Sequence, residues 1–157
     1  MEGRLEGNST TDFGAPAKVP HWDELSVDDA EAKRLAGIIK ACWKRFDQFA
    51  EAAEGRSLRK GPRGGGRDLD KMRKHVLEAE AAYLSQLGGK PESPAKDVPA
   101  RLARVHEEFL DALSGRITGE IPSRGPRGAD RWPPRYAVRR AAWHVLDHAW
   151  ELQDRME

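Results

Sequence analysis

The sequence is poor in the features that would tie it to a disulfide scaffold, a membrane or a β-sheet. It holds one cysteine, Cys42. No intrachain disulfide can form, so a reducing, cytoplasmic setting is the expectation. No run approaches the roughly 18 apolar residues of a membrane-spanning helix, and the opening stretch MEGRLEGNSTTDFGAPAKVP has no apolar core of the signal-peptide kind. One-sided charge is missing too. Lys and Arg total 27 against 26 Asp and Glu, which leaves no global field to draw in nucleic acid or a membrane surface. Strand alternation and hairpin signals are also absent.

What is present is helical periodicity. Residues 1–25 are rich in Gly, Ser, Thr and Pro and are expected to form a loose arm ahead of a single domain over 26–157. Ser26 and Asp29 resemble a capping box. After them Leu35, Ile38, Ile39, Cys42, Phe46 and Phe49 recur at spacings of three and four, one apolar stripe on a helix of about 25 residues. Cys42, inside that stripe, reads as a small core residue. A second helix is predicted behind Asp68 as its cap, with Leu69, Met72, Val76, Ala79, Tyr83 and Leu87 buried and Gly88-Gly89 ending it. A third starts near Val98 and carries Leu102, Val105, Phe109 and Leu113; a fourth spans about Arg135 to Arg155. Four amphipathic helices predict an all-α four-helix bundle. Long loops precede its second and fourth helices, RSLRKGPRGGGR (56–67) and GEIPSRGPRGADRWPP (119–134), and the string GPRG occurs in both.

Five histidines are the candidate functional residues. His144 and His148 lie one helical turn apart, so both imidazoles point the same way and can reach one ion. The small residues Ala137 and Ala141 continue their stripe and would leave room in front of them. His75, beside the second apolar stripe, is the candidate third ligand. His106 is expected at a rim position and His21 in solvent. Three imidazoles leave a coordination position open, the pattern of a catalytic rather than a closed zinc site. Zinc, nickel and ferrous iron all accept such ligands. Glu78 and Asp147 are candidates to orient the ligating rings.

The segments KHVLEAEAAYL (74–84) and AAWHVLDHAWELQDR (141–155) resemble the DinB superfamily of metal-binding four-helix bundles, over about residues 27 to 155. The resemblance implies an up-down-down-up bundle and a divalent metal held by His75, His144 and His148. It implies, for members with a known reaction, activation of a low-molecular-weight thiol such as mycothiol or bacillithiol for transfer to an electrophile; the same open position could activate water for hydrolysis. The acting group would be a metal-bound thiolate or water, and the partner a small-molecule substrate or thiol. Arg135, Arg139 and Arg140, with the Arg-rich loop, are candidates to hold an anionic substrate, against a plain solvated basic surface. Trp132, Trp143 and Trp150 could wall a pocket or simply pack between helices. A homodimer, with Trp43 or Trp150 at its interface, is compatible with the sequence. Two other readings stand beside the enzyme: a bundle holding metal for structure or sensing, and nucleic-acid contact through the Arg/Gly-rich loops, which the balanced charge disfavours.

Overall fold

The computed structural model describes residues 5–12, 14–61, 66–91 and 97–156. Regular structure within them is helical: α1 (Ser9–Asp12), a 3-10 turn (His21–Glu24), α2 (Asp29–Ala52), α3 (Leu69–Leu87), α4 (Val98–Thr118) and α5 (Pro134–Met156). Among the described residues the one extended pairing is an isolated bridge between Arg124 and Asp130. No helix among the described residues is long and apolar enough to cross a membrane.

The helix ends follow from local chemistry. Asp28, rather than Ser26, caps α2, its carboxylate accepting from Glu31 N at 2.8 Å. Asp68 caps α3 as expected, accepting from Lys71 N at 2.8 Å. Such caps satisfy amide groups that have no partner inside the helix. Gly88 ends α3 in the left-handed region with φ 106°, and a Cβ there would lie 2.7 Å from Ile121 Cγ2. Only glycine suits both demands.

α2 packs mainly along α5, while α3 lies against α4 and α5. Arg135 at the start of α5 reaches Glu31 at the start of α2. Glu54, just past α2, pairs with Arg73 near the start of α3 at 2.6 Å. Trp132 N, just before α5, donates to Gln86 O at the end of α3 at 2.9 Å. Phe46 and Ala50 of α2, Arg73 of α3 and Val98 and Leu102 of α4 line one small hollow of about 250 Å³. Ile39, Phe46, Met72, Val76, Leu84, Phe109, Val145 and Leu152 fill the core and are fully buried. Each side chain of this size stabilises the fold by roughly 1.5–3 kcal/mol.

Several faces are rotated from the expected register. Trp43 is buried against α3 and α4 while Ile38 is exposed, so Trp43 is a core residue and not an interface residue. Trp150 is 56% exposed. On α3 the buried line passes through Leu77, Glu80 and Leu84, and Ala79 and Tyr83 flank it. Ala137 and Ala141 are fully covered by the core, so their small size serves packing and not an open space. Residues 15–26 are not loose. Ala15, Pro20 and Asp23 are buried, Arg139 binds Asp23 at 2.6 Å, and Arg135 donates to Ser26 O at 2.9 Å and to Leu25 O.

Candidate metal centre

His75, near the start of α3, and His144 and His148, on one face of α5, converge where these helices pack. One ligand atom from each ring lies within 4.8 Å of the others. The ring centroids are 5.2 Å apart for His75 and His144, 4.8 Å for His75 and His148, and 4.6 Å for His144 and His148. His144 and His148 are each 8% exposed, and His75 is half-buried. Burial, reinforced by the neighbouring His148, His75, Arg140 and Arg67, pushes the His144 pKa down to about 3. His75 is lowered by burial first and then by Arg67 and His148, with Glu78 and Glu151 opposing. Both rings are therefore neutral at pH 7, the form in which imidazole ligates a metal.

The carboxylate that meets one of these rings is Glu151, which lies three residues after His148 and therefore on the same face of α5. Its Oε2 is 3.0 Å from His148 Nδ1. In the tautomer whose Nδ1–H donates to this carboxylate, Nε2 is free to ligate. Glu151 Oε1 accepts from Arg155 at 2.9 Å, and Arg155 Nε donates to Arg59 O at 2.7 Å. Arg59 in turn donates to Asp154 O at 2.7 Å and, through its own amide, to Arg155 O at 2.9 Å. The loop before α3 is thus fastened to the end of the helix that carries His144 and His148. Neither Glu78 nor Asp147 takes the orienting part: both are exposed, and Glu78 faces Lys74 at 4.0 Å. Spacing alone could have singled out Glu151, since His148 and Glu151 repeat at i, i+3.

Of the three arginines expected at a substrate site, Arg140 alone borders the histidines. Its guanidinium lies over Tyr83 (5.9 Å) and Trp143 (5.1 Å), and the Tyr83 ring meets His144 edge-on at 5.7 Å. Arg135 and Arg139 instead hold the N-terminal segment. The tryptophans do not form one wall either. Trp132 stacks near Tyr83 and Tyr136 at the start of α5, whereas Trp150 faces solvent.

Two polar groups that pack on Trp43 lay outside the expected site. Glu80 is fully buried in the bundle interior; Trp43 Nε1 donates to its Oε2 at 3.2 Å, while Oε1 has no partner among the described residues. Burial pushes its pKa up to about 8. His106, expected at a rim, is half-buried beside the small hollow and stacks on Trp43 with centroids 3.9 Å apart; burial lowers its pKa to about 3. His21 is exposed, as expected. Cys42 is buried, and burial followed by the charge of Glu80 raises its pKa, which suits an inert core thiol.

The two GPRG strings differ in what can be said of them. Residues 62–64 of the first lie outside the described residues, and with them Arg63. The second is a turn: Gly125 N donates to Ala129 O at 2.8 Å and Gly128, at φ 81°, donates to Gly125 O at 2.9 Å. It lies between Arg124 and Asp130, which pair at 3.0 Å, and leaves Arg127 exposed. No protein-family model, curated protein or solved structure matches the chain.

Proposed function

We propose that the chain is a divalent-metal-binding bundle of the DinB type. The observation that carries this reading is the convergence of His75, His144 and His148 from two helices, with Glu151 already hydrogen-bonded to one of them. The pairing of helix ends supports an up-down-down-up order, with α2 and α5 running one way and α3 and α4 the other. Three imidazoles suit zinc, nickel or ferrous iron and leave a position for an exogenous group. When bound, such an ion would supply acidification of a coordinated thiol or water at neutral pH. The chain's own residues add positive charge around that position through Arg67 and Arg140, which favours an anionic ligand such as a low-molecular-weight thiolate. The reading is therefore a thiol S-transferase, with hydrolysis as the alternative use of the same open position.

Elemental analysis of the purified chain, after growth with zinc and nickel, tests the site. Close to one equivalent of metal is expected, falling below about a tenth in His144→Ala. A metal content that is negligible, or that is unchanged by the substitution, overturns the site. Thiol consumption with mycothiol or bacillithiol and a model electrophile then tests the transferase. No rate above that of the metal-stripped chain would leave a site that holds metal without turnover.

A further inference from the structure

A cleft of small-molecule size lies apart from the histidines. It lies at the start of α5, between residues 19–27, the end of α4 and the 119–134 segment, and encloses about 630 Å³. That volume falls within the range of small-molecule sites. Ile117, Val27 and the indole of Trp132 give it an apolar side, and Arg116 and Arg131 give it charge.

These two guanidiniums are unusual in their partners. Arg116 donates to Ile121 O at 2.8 Å and Arg131 to Pro122 O at 3.0 Å, both neutral carbonyls. Arg116 Nε is buried with no partner among the described residues. Burial, followed by the charge of Arg131, lowers the Arg116 pKa. The acids lining the cleft are mostly committed elsewhere: Asp23 to Arg139 at 2.6 Å, and Asp130 to Arg124 at 3.0 Å. Glu24 remains, exposed on the opposite, N-terminal wall. Two like charges in a partly desolvated cleft, without a carboxylate on either, are destabilising unless an anion joins them. Planar guanidiniums favour a carboxylate, because two N–H groups can face its two oxygens. An indole and an isoleucine beside them favour a ring.

We infer that this cleft binds a small aromatic carboxylate, its anionic group between Arg116 and Arg131 and its ring against Trp132 and Ile117. The Tyr83–Trp132 pair, with ring centroids 5.4 Å apart, stands between the cleft and His144, so the site does not require the histidines to hold an ion. Calorimetric titration of the full, metal-stripped chain with 2-naphthoate tests it, with 2-naphthamide as the uncharged counterpart. Saturable binding of the acid and none of the amide is expected. Arg131→Gln and Arg116→Gln should each weaken it by at least about tenfold, the effect of losing one charge-assisted hydrogen bond. Arg124→Gln should leave it unchanged, and Glu24→Gln unchanged or tighter. Circular dichroism checks that each variant folds. Arg131 lies in a loop, so Arg131→Gln decides the matter if Arg116→Gln does not fold. Absence of naphthoate binding, equal binding of the amide, or an affinity untouched by Arg131→Gln overturns the inference.

Discussion

Glu80 is the residue with the clearest consequence for stability. Its carboxyl is fully buried with one indole N–H as partner, and its pKa is raised from 4.5 to about 8. Between those two values the unfolded chain has released the proton and the native chain has kept it. Stability is therefore complete below about pH 4.5 and falls as pH rises toward 8, by about 1.4 kcal/mol for each unit of that interval at most. Glu80→Gln retains an acceptor for Trp43 and has no proton to lose. It should match the parent below about pH 4.5 and exceed it increasingly up to pH 8, with urea midpoints at several pH values as the measurement. Parallel curves for the two proteins would contradict a neutral buried Glu80. His106 acts in the opposite sense: its depressed pKa removes stability as pH falls from 6.5 toward 3, so acid unfolding of both proteins should remain.

At the level of elements, the sequence was most legible where one rule acts alone. Asp68 ahead of an apolar period and Gly88-Gly89 behind it place α3 without tertiary information, and the i, i+4 spacing of His144 and His148 makes them neighbours in any helix. His75 needed only a guess at which side of α3 faces inward. The failures have a common cause. Trp43 and Glu80 occupy the interior because the indole satisfies the carboxyl across α2 and α3, with the half-buried His106 of α4 stacked on Trp43, and no single helix's pattern records that. Arg135 and Arg139 read as free cations because their partners lie over 100 positions earlier: Glu31 and the carbonyls of the N-terminal segment. The segment's Gly and Pro content concealed that it is anchored. Arg135→Met should release it, since one side chain holds Glu31 and the Trp22, Leu25 and Ser26 carbonyls together. Limited proteolysis checks this: new or faster cleavage within residues 14–28 is expected, with α3 and α4 protected as in the parent. An unchanged digestion pattern would mean that Asp23 and Arg139 suffice.

The whole molecule gains a crosslink if the histidines take up an ion, because the ligands come from two helices that pack side by side and are far apart in sequence. A ligand that binds only the folded chain stabilises it by RT ln(1 + [L]/Kd), about 2.7 kcal/mol at a hundredfold excess over Kd. For a chain of this size that corresponds to a rise in melting temperature of roughly 5–11 °C. Scans with zinc and with a chelator should differ by this amount in the parent and not at all in His148→Ala. Glu151→Gln discriminates further, because the side chain touches a ligand rather than the ion. Loss of such an orienting carboxylate weakens metal binding by about 10- to 100-fold. At the same zinc concentration the stabilisation should then fall to between about 0.4 and 1.4 kcal/mol. Any damage to the Glu151–Arg155–Arg59 fastening lowers the zinc-bound and zinc-free melting temperatures alike and cancels in their difference. A zinc-dependent shift in Glu151→Gln equal to the parent's would therefore show that the carboxylate fastens the loop and has no part in metal binding.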